Sequence, residues 1–367
     1  MSVRMKVGIL TFSDADNYGA MCQAYALQKY LDYQSFECDI IRYYNHSIWL
    51  QYHYCSLRES DFIHCIKRNI EVLSQSQRRK AFRKFRNIIS FSELCDSTTV
   101  KKVFSNYDAI VVGSDQVWNP RNTDGDTVFL LDVMGDYKKI AYAASFGNTS
   151  FFDEFCADTS TLLEDFSAIS VREKSGKNFL KERYGIDSKL VLDPVLLLEK
   201  KDWETFSTGE KREQYVFVYQ LKPDKAFARE ARKFAKEKGL KIYILPYLAR
   251  CLLENIGRGT SLQYSIGPEE FVSFISNAEY VLTDSFHGIA LSIAMNKQFF
   301  VRMDSKKNNT NERITGLMNE LGISDREFEN HLSPNLDTTI DYEKVNTILG
   351  ELRKTSKDFL RNAFGDL

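Results

Sequence analysis

Four short stretches of the chain gather side chains able to hold a small polar molecule or move its protons. Residues 113–120 read Gly-Ser-Asp-Gln-Val-Trp-Asn-Pro. Ser114 and Gln116 can hydrogen-bond sugar hydroxyls, Trp118 can stack on the C–H face of a sugar ring, and Asp115 can accept a hydroxyl proton. A capped turn over a buried tryptophan is the alternative. Residues 172–176 read Arg-Glu-Lys-Ser-Gly, and Arg172 offers a fork suited to phosphate or carboxylate. Its alternative is an ion pair with Glu173 or a neighbouring acid. Residues 284–288 read Asp-Ser-Phe-His-Gly. They put Ser285, His287 and Gly288 at a predicted helix start, where backbone N–H groups favour an anion and a histidine can serve as general acid. Residues 13–20 read Ser-Asp-Ala-Asp-Asn-Tyr-Gly-Ala. Asn17, Tyr18 and Gly19 open a helix there, a setting for a hydroxyl-rich ligand or simply an N-cap and turn.

Other chemistries lack their signatures. There is no G-x-G-x-x-G, P-loop or G-x-S-x-G pattern. His46, His53 and His64 with Cys55 and Cys65 fit no closed four-ligand zinc spacing, so neither metal nor cofactor is expected. Lys and Arg number 49 against 50 Asp and Glu, a net charge of -1, which provides no global basic field for nucleic acid. No uncharged apolar run approaches the roughly 20 residues that span a bilayer. The first residues carry no signal-peptide pattern, and seven scattered cysteines without a Cys-x-x-Cys pair read as reduced thiols. These features predict a cytoplasmic protein, peripheral to the inner face of the membrane if it meets one.

Each of the four polar stretches follows an apolar run, and the elements that must position them form a pattern. Strand-like runs at 7–12, 38–44, 109–112, 140–144, 168–171 and 190–192 alternate with helical stretches such as 20–31 and 174–184. A polar stretch at 199–213 reads as an interdomain connection, after which the alternation restarts with strands at 215–221, 241–245, 280–283 and 298–301. Near-continuous apolar strands between helices predict parallel sheets covered on both faces. In such sheets ligands bind beyond the carboxyl ends of the strands, where these motifs lie. The 367 residues are therefore expected to form two Rossmann-like α/β domains facing a cleft. The first spans 1–200, with an insertion at 45–100, and takes back the charged helix 342–367; the second spans 201–341. The insertion carries Tyr44, Trp49 and a basic helix at 67–86, read either as a solvated face over core aromatics or as a surface for an anionic partner such as a lipid headgroup.

Taken together, the motifs resemble the polysaccharide pyruvyl transferase family. The matching stretches are 17–27 (NYGAMCQAYAL), 111–119 (VVGSDQVWN), 144–147 (ASFG), 169–176 (ISVREKSG), 192–198 (LDPVLLL) and 283–292 (TDSFHGIALS). The resemblance implies a fold like the B-type glycosyltransferases. It also implies transfer of the pyruvyl group of phosphoenolpyruvate to a sugar, giving a pyruvate ketal in surface polysaccharide synthesis. By this likeness Arg172 binds the anionic donor and His287 is the catalytic or phosphate-contacting histidine. Some members read Arg-Leu-His where this chain reads Ser285-Phe286-His287. The second donor cation is then expected from Arg302, Lys306, Lys307 or Arg313. The expected acceptor is a saccharide, lipid-linked by preference. A nucleotide-sugar glycosyltransferase and a non-catalytic carbohydrate-binding relative are the competing readings.

Overall fold

The computed structural model describes residues 4–50, 69, 75–155, 157–207, 213–247, 255, 259–303, 308–329, 331–332 and 338–365, with the side chains of 308–311 excepted. The chain folds as two units. Met1–His53, Asn87–Leu197 and Gly350–Leu367 make the first; Tyr54–Arg86 and Leu198–Leu349 make the second.

The first unit is built on a seven-stranded parallel sheet. Its strands are β1 (Lys6–Leu10), β2 (Glu37–Tyr43), β3 (Phe91–Cys95), β4 (Ala109–Val112), β5 (Lys138–Ala144), β6 (Ala168–Val171) and β7 (Lys189–Leu190), in the order β3-β2-β1-β4-β5-β6-β7. Every residue of β4 is buried, as an apolar AIVV run covered on both faces demands. The order turns back between β1 and β4, and at such a switch point two strand-end loops part and leave a crevice. The core beneath includes Leu10, Val112, Trp118, Phe129 and Phe146.

The second unit repeats the plan with six strands: β8 (Tyr215–Gln220), β9 (Lys241–Pro246), β10 (Thr260–Leu262), β11 (Tyr280–Thr283), β12 (Gln298–Arg302) and β13 (Glu327–Phe328). They run parallel in the order β10-β9-β8-β11-β12-β13, so its switch point lies between β8 and β11. Val216, Val218, Phe227, Phe234 and Phe300 pack its core.

The structure divides the chain differently from the sequence reading at three places, one of them the final helix, whose residues 342–349 belong to the second unit and not the first. Residues 45–100 are not one insertion of the first domain. The short helix His46–Leu50 and strand β3 belong to the first unit, and the helix Ser76–Arg86 to the second. Phe82, Phe85 and Arg78 of that helix are buried there. Phe85 meets Phe206 edge-on at 5.6 Å, and Arg78 Nη1 donates to Tyr247 O at 2.8 Å while stacking on its ring. The rest of the predicted basic helix, Lys67 and Arg68 included, lies outside the described residues. The stretch 199–213 is not a bare connection either. Residues Lys200–Phe206 form a helix whose Trp203 is wholly buried, because one apolar anchor outweighs a run of solvated charges.

Residues 350–364 of the final helix, Tyr342–Phe364, pack on the first unit. Ser356 Oγ accepts the Leu192 N–H at 2.9 Å, Arg353 Nε donates to Leu196 O at 2.6 Å, and Phe364 meets Phe36 at 4.5 Å. Cys22, Cys38 and Cys95 are buried free thiols, and burial pushes each one's pKa above the usual range. Cys55, Cys65, Cys156 and Cys251 lie outside the described residues.

Candidate functional site

At the switch point of the first sheet, the loops after β1 and β4 are tied by neutral groups. Thr11 Oγ1 donates to Ser114 O at 2.9 Å. Gln23, from the helix Tyr18–Tyr33, donates to Thr11 Oγ1 at 2.9 Å and accepts the Ser114 N–H at 3.2 Å. The loop after β4 can start only with glycine. Gly113 has φ +113°, and a Cβ there would lie 2.2 Å from Tyr142 O. Asp115 follows with φ +77°, a left-handed conformation that costs an L residue about 1–2 kcal/mol and that Asp tolerates better than most. Its backbone is held all the same: Asp115 O accepts the N–H groups of Val117 (2.8 Å) and Ser145 (3.0 Å). The carboxylate stays half-buried at the strand end, accepting the Gln116 N–H at 2.9 Å.

Behind Asp115 lies a buried charge cluster. Arg172, at the end of β6, has a side chain only 2% exposed. Its Nη1 donates to Asp193 Oδ2 at 2.6 Å and its Nη2 lies 3.6 Å from Asp115 Oδ1. Burial works against the guanidinium's charge, but Asp193, Asp115 and Glu173 outweigh it and lift its pKa above the ordinary arginine value. The fork expected to hold a donor is therefore turned inward, and of the two sequence readings the ion pair describes this structure. Asp193 is the residue the sequence reading missed. It is 1% exposed, caps the turn at Pro194 through the Val195 N–H (3.0 Å), and lies 3.1 Å from Ser114 Oγ. Its signal was an acid set between apolar runs in VLDPVLLL, since a carboxylate buried there needs a cation. Glu173, also buried, accepts the Phe146 N–H at 2.7 Å and fixes the loop after β5.

The predicted acceptor contacts divide. Gln116 is half-buried at the strand end, its Oε1 accepting from Asn119 Nδ2 (3.0 Å) and Asn122 Nδ2 (3.2 Å). Asn17 acts as the helix N-cap, accepting the Ala20 N–H at 3.2 Å, and Gly19 is buried in the first turn. Ser114 is wholly buried in the network just described. Tyr18 and Trp118 are corrections: both are 0% exposed, so Tyr18 presents no surface to an acceptor and the Trp118 ring cannot stack on a sugar. Trp118 donates Nε1–H to Phe129 O at 3.0 Å and meets Phe146 and Phe166 edge-on. A buried indole with its one donor satisfied is a core residue.

In the second unit the switch point is tied by a charge. Asp284, just past β11, accepts the N–H groups of Leu221 (2.7 Å) and Lys222 (3.1 Å) beyond β8. Burial pushes its carboxyl up to about 6, although those two hydrogen bonds and Lys222 pull the other way. The helix Phe286–Ala294 starts immediately, capped by Ser285, whose Oγ accepts the Gly288 N–H at 3.4 Å. Thr283 Oγ1 accepts the Ser285 N–H and donates to Tyr219 O. A Cβ on Gly288 would lie 2.7 Å from Thr283 Oγ1, so glycine lets the helix close onto the strand. His287, 8% exposed, occupies this first turn with its ring edge-on to Phe286 at 5.3 Å.

The candidate donor cations separate as well. Arg302 Nε is bound to Asp224 Oδ2 at 2.9 Å. Asp224 also caps the helix Lys225–Glu237; burial opposes its charge, and the hydrogen bonds from Phe227 and Arg302 still hold it below the usual carboxylate value. Arg313 lies over the Phe286 ring at 5.8 Å, on the turn that carries His287. Lys306 and Lys307 lie outside the described residues. Among the described residues no group of three or more His, Cys, Asp or Glu side chains could hold a metal, and no helix is long and apolar enough to cross a membrane.

Comparison with solved structures finds the same plan. The chain is similar to a protein described as UDP-N-acetylglucosamine 2-epimerase from Listeria monocytogenes (10% identity, 99% of this chain and 93% of that one, TM-score 0.53). It is also similar to MnaA from S. aureus with UDP (13%, 99% and 93%, TM-score 0.51). UDP-GlcNAc 2-epimerase from Methanocaldococcus jannaschii, with UDP-GlcNAc and UDP, matches at 13% identity over 98% of this chain and 99% of that one (TM-score 0.49). At such identities the first two likenesses are of fold: paired parallel-sheet α/β units of the B-type glycosyltransferase kind. No curated protein sequence matches the chain. The family profile for polysaccharide pyruvyl transferases matches residues 17–302, a span that holds the loop after β4, the Arg172 cluster and the His287 turn. With that much of its length matched, the chain belongs to the polysaccharide pyruvyl transferase family.

Proposed function

We propose that the protein moves the pyruvyl group of phosphoenolpyruvate onto two hydroxyls of a saccharide, releasing phosphate and leaving a pyruvate ketal. The observation that carries this reading is the His287 turn, a histidine in the first turn of a capped helix at a sheet switch point, in a chain of this family. The roles are assigned unit by unit. In the second, His287 gives a proton to the methylene carbon of the donor, and Arg313 and the helix N-terminus hold its anionic groups. The carbon that bears phosphate becomes electrophilic and a sugar hydroxyl adds to it. The C–O bond to phosphate breaks, and a second hydroxyl closes the ketal, its proton leaving with phosphate. In the first unit, Asp115 takes the proton of the first hydroxyl. Arg172 is a positioning residue that turns Asp115 through the 3.6 Å pair. No cofactor beyond the donor is needed.

The acceptor we propose is a lipid-linked precursor of exopolysaccharide or capsule, met at the cytoplasmic membrane surface. Lys80, Arg83 and Lys84, exposed on the helix Ser76–Arg86, suit anionic headgroups there.

The test is mass spectrometry of candidate saccharides incubated with protein and phosphoenolpyruvate, with phosphate release followed in parallel. The expected product gains one pyruvate less one water. His287→Ala should slow transfer by about 10²–10⁴-fold, the usual contribution of a general acid. Thermal stabilisation by a nucleotide sugar and none by phosphoenolpyruvate would replace this reading with glycosyl transfer. Sugar binding without phosphate release would replace it with a non-catalytic role.

A further inference from the structure

The loop after β4 holds one side-chain amide in a fixed sense, and Asn119 sets it. Asn119 is the N-cap of the short helix Pro120–Thr123, and its Oδ1 accepts the Arg121 N–H at 3.1 Å. A backbone N–H can bond only the oxygen of that amide, so Nδ2 is the end that faces Gln116. Nδ2 donates to Gln116 Oε1 at 3.0 Å, and Asn122 Nδ2 donates to the same oxygen at 3.2 Å. Gln116 therefore spends its oxygen inside the loop and keeps its NH2 group to offer. The residue is half-buried; among the described residues nothing accepts from Nε2, and that atom is not sealed from solvent.

The loop holds the amide from several sides. Gln116 O accepts the Asn119 N–H at 3.1 Å, and the Gln116 N–H donates to Asp115 Oδ1 at 2.9 Å. The loop after β5 closes over the amide. Gly147 there has φ +65°, and a Cβ on it would lie 2.2 Å from Gln116 Oε1 and 3.0 Å from Asn119 Nδ2. The end of β4 thus carries two consecutive half-buried side chains of opposite hydrogen-bonding sense: the Asp115 carboxylate accepts and the Gln116 amide donates. Sugar hydroxyls, which both donate and accept, match such a pair, whereas an ammonium has no lone pair for the amide.

We infer that Gln116 is an acceptor-specificity residue, whose Nε2 donates to a saccharide oxygen beside the hydroxyl that Asp115 deprotonates, and that Asn119 and Asn122 are positioning residues that hold the amide in this sense. The inference rests on the proposed transfer for the role of Asp115, and on the loop alone for the polarity of the amide. The ligand class follows: a neutral polyhydroxyl ring with an oxygen, not an amine, at the position Gln116 reads.

Two variants invert the polarity by different routes. Gln116→Glu keeps an oxygen for Asn119 and Asn122 and presents an acceptor in place of the donor. Asn119→Asp keeps the cap, since Asp serves as well as Asn there, but offers Gln116 an oxygen, so the glutamine amide turns over and presents Oε1. Calorimetry on the whole protein compares methyl hexopyranosides with their monodeoxy and amino-deoxy analogues below neutral pH, where the amine is charged. Transfer kinetics are measured in parallel, with Gln116→Met added. In the wild type, replacing one particular hydroxyl, the same one in both analogue series, should weaken binding about tenfold, the scale of one hydrogen bond. Gln116→Met should bind the hydroxyl and deoxy forms at that position alike, and raise the acceptor KM about tenfold with the KM for phosphoenolpyruvate unchanged. Gln116→Glu and Asn119→Asp should both prefer the amino form at that position, a shared change that a merely structural role would not produce. No binding of any glycoside to the wild type, equal weakening at every position in Gln116→Met, or wild-type selectivity in Asn119→Asp overturns the inference. Wild-type transfer with an unchanged acceptor KM in Gln116→Met overturns the contact and leaves the proposed reaction standing. Position-selective binding through Gln116 in a protein that transfers no pyruvyl group overturns the reaction and leaves the contact standing.

Discussion

The two sheets solve the same topological problem with different chemistry. Each reverses its strand order once, between β1 and β4 in the first unit and between β8 and β11 in the second. Each must then hold two diverging loops together. The first uses a neutral amide, Gln23, on a hydroxyl and a backbone N–H. The second uses a carboxylate, Asp284, on two backbone N–H groups. An amide tie does not respond to pH. A carboxylate whose pKa burial has raised to about 6 does, so the second unit's switch point is the one that senses protons near neutrality. The first unit keeps its charges two strands further along, at the end of β6, where Arg172 and Asp193 neutralise each other out of reach of solvent.

Three experiments sharpen or break this contrast. Arg172→Ala should have the largest effect on stability, about 3–5 kcal/mol in urea unfolding, because it leaves Asp193 buried without its cation. Arg172→Met with Asp193→Leu should restore a large part of that loss; a double variant as unstable as the single one would show that the charges do more than cancel. Asp284→Asn comes next. A buried acid with a raised folded pKa is most favourable when protonated, so its contribution is fully present below the unfolded pKa of about 3.9 and is lost as pH rises through about 6. Wild-type stability measured against Asp284→Asn should therefore fall by about 2–3 kcal/mol from pH 4 to 7, and a flat difference would remove the proton-sensing role. The smallest effect belongs to Gln23→Ala. It strands the buried Ser114 N–H and should cost about 1–2 kcal/mol equally at every pH.

The strands were legible in the sequence because parallel strands buried on both faces must be written as apolar runs, as AIVV in β4 and YVFVYQ in β8 are. Strand β3, FSELC, went unread because it is an edge strand with two of its five residues exposed, including Leu94, and has no such run. The loops that gather at the strand ends were also legible, since topology alone puts them there. Which side chains face the ligand was not. Trp118 and Trp49 are the same residue type in similar polar company, yet one is sealed by Phe146 and Phe166 while the other stays half-buried. That difference is made by elements tens of residues away. The same holds for Arg172, whose inward turn depends on an acid 21 positions later.

The last helix gives the chain a temporal asymmetry. The strands of the first unit are complete by residue 190, yet the Leu192 amide finds its partner only at Ser356, and Lys138 and Phe36 find theirs at Phe364. During synthesis from the amino end, at about 5–20 residues per second, the whole second sheet leaves the ribosome before the first sheet receives its final cover. The half that begins first therefore finishes last, and a released chain truncated after residue 349 should be cut by protease in the first unit while the second resists.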